Sequence, residues 1–150
     1  MVAMEERQVK QYIIVRTDLG MSAGKIGAQA AHASQKVFFD KMIYSRQFGG
    51  IDPNTKTYQI TLNKEEIQWV EGKFTKIVKK VKNEAQLIKV YEKAKEAGLN
   101  CSLIEDAGLT ELTGKNHTCI AIGPNYVDKC EPIVKRLRNL TNVEQKQIDK

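Results

Sequence analysis

The sequence predicts an α/β fold: three-layer α/β/α built on a four-stranded mixed, mostly parallel sheet. Three observations carry this expectation. Short β-branched runs alternate with longer stretches of helical period, which favours parallel strands joined by crossover helices. The first run, Tyr12-Ile13-Ile14-Val15, is apolar at every position, as a strand covered on both faces must be. The connection between the last two strands is short, which permits an antiparallel join and makes the sheet mixed.

Taken in order, Tyr12 to Val15 is ended by the turn-prone Thr17 and Asp18. After the turn from Gly20 to Gly24, Ser22 is placed to cap a helix. In that helix Ile26, Ala30, Ala33 and Val37 trace one apolar stripe, and the pattern carries it as far as Tyr44. Ser45 to Asn63 contains Gly49-Gly50 and Asp52-Pro53 and reads as a loop, with a short extended piece where Tyr58, Ile60 and Leu62 alternate. Lys64 to Gly72 adds a helical turn or two around Ile67 and Trp69. Phe74 to Val81 is the second strand, and its lysines suit a sheet edge.

Asn83 caps a helix carrying Leu87, Ile88, Tyr91 and Ala94 inward, and Gly98 ends it. Cys101 to Glu105 forms the third strand, Asp106 to Asn116 a loop, and Thr118 to Ile122 the fourth strand. Gly123-Pro124 then introduces a last helix with Val127, Cys130, Val134 and Leu137 facing inward. Residues 1–140 are expected to form one domain, and the polar residues 141–150 a flexible C-terminal tail.

With 150 residues and 41% hydrophobic content the chain can bury one continuous core. No stretch reads as a secretory leader or a membrane span, so a cytoplasmic protein with no membrane partner is expected. Cys101, Cys119 and Cys130 lack the paired spacing of zinc or redox motifs and are expected to be buried and reduced, with no metal and no cofactor. Twenty-four basic against eighteen acidic residues give a formal charge of +6, which favours polyanionic partners.

In the first helix Lys25, Gln29 and His32 share a face beside the apolar stripe. Lys25 lies in the first turn, where free N–H groups and the positive dipole end suit a phosphate or a developing oxyanion. The second candidate region is Asp106 to Thr110, just past a strand, where α/β sheets bind ligands. Asp106 is suited to orienting or deprotonating a water, and Gly108 to letting the backbone approach a substrate. Spacing alone leaves other readings open: a solvated Lys25, a hydrogen-bonded His32, and an Asp106 that caps a turn with Thr110. Thr118 is uninformative by itself.

The order of motifs narrows the choice. Arg16-Thr17-Asp18-Leu19, Met21-Ser22-Ala23-Gly24-Lys25, Ala28 to Ala33, Ser102 to Thr110 and Thr118 to Pro124 together resemble the type II peptidyl-tRNA hydrolases over about Tyr12 to Leu140. The resemblance implies a small mixed sheet between helices, often in a homodimer. It further implies metal-free, cofactor-free hydrolysis of the ester joining a peptide to the terminal ribose of tRNA. It assigns Lys25, Asp106, Thr110 and Thr118 to the catalytic centre and Gln29 and His32 to polar positions beside it, with Ser22, Gln29, His32 and Gly108 expected to bind substrate. In the mechanism so implied, Asp106 positions the attacking water, Thr110 and Thr118 hydrogen-bond to the water or the ester carbonyl, and Lys25 stabilises the oxyanion or the nearby phosphate.

Gly20 and Ala23 stand where many members carry lysines, so either Lys25 takes the cationic task alone or activity is altered. The competing reading is a non-catalytic tRNA-binding or protein-adaptor module of the same fold. A serine or cysteine hydrolase is disfavoured, since Ser22 and Ser34 lack a nucleophile-elbow context and no cysteine has an evident histidine base.

Overall fold

The computed structural model describes residues 7–45 and 52–141. Its elements are β1 (Val9–Arg16), α1 (Ala23–Phe39), β2 (Ile43–Tyr44), β3 (Tyr58–Gln59), α2 (Lys64–Glu71), β4 (Lys76–Val81), α3 (Glu84–Glu96), β5 (Cys101–Asp106), β6 (Asn116–Tyr126) and α4 (Val127–Val134). The pleat of β1 sends alternate side chains to opposite faces. Tyr12 and Ile14 enter a cluster with Leu87 and Val90 of α3 and Cys130 and Val134 of α4. Ile13 and Val15 enter a second cluster with Ala33 and Val37 of α1. β6 repeats the division, with Ile120 and Ile122 on the first face and Cys119 and Ala121 on the second. The predicted three layers follow directly from this alternation. Each fully buried Ile or Leu contributes about 1.5–3 kcal/mol.

The main sheet is four-stranded and mixed, in the order β4-β1-β6-β5. The expectation of a mostly parallel sheet needs correcting. Only β1 and β4 pair in parallel, while β1 with β6 and β6 with β5 are antiparallel. Three strands do point the same way, as the helical crossovers require. The short return after β5, however, inserts the one reversed strand between two of them. Three carboxyl ends, of β1, β4 and β5, therefore share one edge with the start of β6.

Three boundaries also move. α1 stops at Phe39 rather than Tyr44, because Ile43 and Tyr44 pair with Gln59 and Tyr58 in a separate two-stranded ribbon. Their apolar character reflects cross-strand pairing, with the Tyr44 and Tyr58 rings 5.9 Å apart. Gly123-Pro124 does not introduce the last helix but lies inside β6, whose pairing with β1 resumes at Asn125 opposite Lys10. Gly123 has φ +87°, and a Cβ there would come within 2.8 Å of the Lys10 carbonyl oxygen, so only glycine suits the bend. Leu137 lies beyond α4 yet still packs on the α3/α4 cluster. Ser22 and Asn83 cap α1 and α3 as expected. Cys119 and Cys130 are buried and Cys101 is half-buried, all with free thiols. Gly49-Gly50 and the tail beyond residue 141 lie outside the described residues.

Candidate active site

The edge where β1, β4 and β5 end is braced by Arg16, which donates to both Asp18 oxygens, at 2.7 and 3.1 Å, and to the His117 carbonyl at 3.1 Å. His117 in turn contacts Glu84 at 2.8 Å. These bonds tie the turn after β1, the start of α3 and the start of β6 into one platform. α1 rises from the same edge. Its first turn is held by the Ser22 hydroxyl, which accepts from the Lys25 amide at 3.1 Å, and this orients Lys25 and Gln29 toward the end of β5.

Asp106 closes β5. One of its oxygens accepts from the Gly108 amide at 2.8 Å, forming a tight local turn. Gly108 has φ +79°, and a Cβ on it would lie 2.3 Å from the Gly114 carbonyl oxygen. The close approach predicted at Gly108 is thus made by the loop's own backbone. The other Asp106 oxygen receives the Lys25 ammonium at 2.6 Å and the Gln29 amide at 3.4 Å. The same ammonium donates to the Thr110 hydroxyl at 2.8 Å. Residues separated by 81 and 85 positions in the chain therefore form one polar cluster. The Lys25 and Asp106 side chains are each 11% exposed, whereas Thr110 stands at the surface.

The electrostatics follow from these contacts. The Lys25 ammonium, then the Gly108 amide, hold the Asp106 carboxyl below the usual aspartate range, and His32 acts in the same direction more weakly. A carboxylate this acidic stays ionised at neutral pH. It suits orienting a water and stabilising positive charge better than abstracting a proton from a poor acid. The lysine adds a fixed cation beside it, where negative charge on an attacked carbonyl would be stabilised.

The remaining predicted residues fall into different places. Thr118 is fully buried and its hydroxyl donates to the Gln29 side-chain oxygen, so it does not face a ligand as expected. It acts on Asp106 only through Gln29, itself 2% exposed. His32 is exposed and makes no hydrogen bond among the described residues. Ser22 caps the helix and also donates to Glu111.

Glu111 is the residue that sequence reasoning missed. It accepts the Ser22 amide at 3.1 Å, so the anion expected at the start of α1 is supplied by the protein itself. The Ser22 hydroxyl and amide hold the Glu111 carboxyl below its ordinary range. A signal existed: the first turn of α1 has no acidic residue, which leaves its dipole to be met from elsewhere. Among the described residues no group of three or more His, Cys, Asp or Glu is arranged to hold a metal, and no helix is long and apolar enough to cross a membrane.

Comparison with known proteins gives consistent matches. A family model described as Peptidyl-tRNA hydrolase PTH2 matches residues 9–140. A peptidyl-tRNA hydrolase of Methanocaldococcus jannaschii is 34% identical over 132 residues, covering 88% of this chain and 100% of that protein. One from Sulfurisphaera tokodaii is 39% identical over 132 residues, 87% of this chain and 98% of its own length. One from Halobacterium salinarum is 38% identical over 116 residues, 77% of this chain and 86% of its own.

Proposed function

Because the chain belongs to the peptidyl-tRNA hydrolase PTH2 family, we propose that it hydrolyses the ester between a peptide and the terminal ribose of tRNA at the Lys25, Asp106 and Thr110 cluster. The observation that carries the assignment is the Lys25 ammonium held between Asp106 and Thr110 at the end of β5. In this reading Asp106 aligns a water, Thr110 hydrogen-bonds to that water or to the ester carbonyl, and Lys25 stabilises the oxyanion. Gln29 and Thr118 are positioning residues that hold the Asp106 carboxylate from behind. Ser22 and Gly108 serve the geometry of the helix start and the loop, and His32 lies one helical turn beyond the cluster, where an approaching substrate chain would pass. No metal or cofactor is invoked.

The non-catalytic adaptor is not favoured, since each relative described above carries the name of an enzyme. A cytoplasmic location follows from a substrate that arises in translation. A homodimer is the assembly the family resemblance leads us to expect; light scattering should then give about twice the 17.0 kDa chain mass.

The deciding experiment is release of N-acetylated amino acid from tRNA. Multiple turnovers by the native protein and a large loss in Asp106→Asn are expected. Tight tRNA binding without any ester cleavage by the native protein would overturn the reading.

A further inference from the structure

We infer that the groove between α3, α4 and the outer edge of β4 binds the phosphate backbone of RNA, as a second contact surface distinct from the Lys25 and Asp106 cluster. That the RNA is the tRNA part of the substrate rests on the function proposed above. The groove has a volume of about 1090 Å³. Lys80 and Lys82 enter it from β4 and the residue after it, and Lys89 and Lys93 from α3. Lys135, Arg136 and Arg138 close it from the segment following α4. No acidic residue lines it. These seven cations exceed the chain's formal surplus of +6, so the rest of the molecule is close to neutral.

Their convergence on one groove without a carboxylate separates them from the cations that are paired. Arg7, Arg16, Lys25, Lys36 and Lys41 each meet a carboxylate. Among the described residues, none of the seven groove cations forms an ion pair or donates a side-chain hydrogen bond. Crowding like charges in this way opposes folding, and Lys89 and Lys93, one helical turn apart, repel each other directly. A helix C-terminus accounts for Lys135 at the end of α4. It does not account for Lys89 in the middle of α3, nor for Lys80 and Lys82 on the sheet edge.

The chemistry of the ligand follows from the arrangement. Six of the seven side chains are exposed, with only Lys80 half-buried, and they arrive from separate segments on long flexible stems. Nothing there fixes a single phosphate in a built cradle; a repeating anion spread along the groove satisfies all of them. The other natural anion position, at the start of α1, is filled by Glu111. Thr17 lines the groove and also opens the turn that leads to Lys25, so the two surfaces meet around the shared edge of the sheet. A tRNA whose terminal ester lies at Asp106 would extend its backbone toward the α3/α4 face.

The test is the triple variant Lys89→Gln, Lys93→Gln, Arg136→Gln in the full-length chain, with the triple charge-retaining exchange (Arg, Arg, Lys) as control. Fluorescence anisotropy with deacylated tRNA measures affinity across salt concentrations. The neutral variant should bind roughly 10-fold or more weakly at low salt, with the log–log salt slope shallower by up to about 2–3. The control should bind as the native chain does. Hydrolysis of an N-acetyl-aminoacyl ester of adenosine, too short to reach the groove, should be unchanged in both. Native affinity and slope in the neutral variant would overturn the inference. So would a parallel loss on the short ester with a lowered melting temperature, which would mark a structural role. Because the binding arm needs no turnover, a native chain that binds tRNA through the groove yet cleaves nothing would refute the proposed function and leave the groove standing.

Discussion

Two lysine–carboxylate pairs anchor opposite ends of α1, and they are built for different purposes. Beyond its C-terminus, Lys41 reaches Glu66 at 2.5 Å, and beside its N-terminus Lys25 reaches Asp106 at 2.6 Å. The Glu66 side chain is 0% exposed and also accepts the Asn63 amide at 3.0 Å and the Asn100 side chain at 3.2 Å, so it both closes the capping box of α2 and ties that helix to β6 through Asn100. The carboxylate itself is sealed from solvent, although Lys41 reaches it from a partly exposed position. Asp106 is likewise well bonded, but its lysine also grasps Thr110, which is exposed at the mouth of the site. A carboxylate enclosed on every side holds the fold together. One paired at the lip of a sheet, through a lysine that also reaches an exposed hydroxyl, is open to exchange with a substrate.

Removing each pair should separate the two roles, beginning with the largest effect. Lys25→Ala should lower kcat by about 10²–10³, equivalent to roughly 3–4 kcal/mol of barrier, because in the proposed mechanism it deletes the cation at the oxyanion. Its unfolding midpoint in urea should fall less than that of Glu66→Ala, since Asp106 keeps the Gly108 amide and lies closer to solvent than Glu66. Glu66→Ala should show the reverse, a stability loss of about 2–3 kcal/mol from unpaired buried donors, with kcat per folded molecule unchanged. If Glu66→Ala abolished turnover while Lys25→Ala only destabilised, the distinction between the pairs would fail.

These contrasts show which parts of the molecule local sequence could express. Helix starts were legible because a cap is a property of one residue: Ser22 and Asn83 each accept an amide three positions on. The two-sided burial of β1 was legible because every position in Tyr12 to Val15 is apolar. The placement of β6 between β1 and β5 was not, because pairing order depends on where a returning strand docks and not on its own composition. The same limit applied at the site. Lys25 and Asp106 were nominated by separate local patterns and by family resemblance, but their contact is tertiary. Thr118 is uninformative by itself at a strand start, and the sheet buries it behind Gln29. The acid-free first turn of α1 signals that an anion is needed but not which one, because Glu111 lies 89 residues away.

A smaller effect tests how the open pair is held. Thr118→Val keeps the buried volume and removes the hydroxyl that fixes Gln29, so the Gln29 amide should lose its aim at Asp106. A fall in kcat of about 10-fold is expected, with a stability cost of about 1–2 kcal/mol from the unsatisfied Gln29 oxygen. Thr118→Ser should restore both, which a purely volumetric role for the residue would not require. A Val variant with native kcat would detach Gln29 and Thr118 from the active site.

The smallest effect concerns only the acid edge of the pH profile. Asp106 is held below its unfolded value, first by the Lys25 ammonium and next by the Gly108 amide. A depressed carboxyl stabilises the folded chain at pH above the unfolded value near ~4, and that contribution disappears as pH falls through the lower folded value. In the proposed mechanism the same ionisation governs catalysis, so kcat/KM on the short adenosine ester should stay on its plateau down through pH ~4 before it declines. Lys25→Ala removes the larger cause, so the Asp106 value must rise and the residual activity must begin to fall at higher pH than in the native chain. The Glu66→Ala variant leaves Asp106 and its three partners, Lys25, Gln29 and Gly108, in place and should keep the native edge. An acid edge that stays fixed in Lys25→Ala would mean that a group other than Asp106 sets it, and the carboxylate at the lip of the sheet would then not be the one orienting the water.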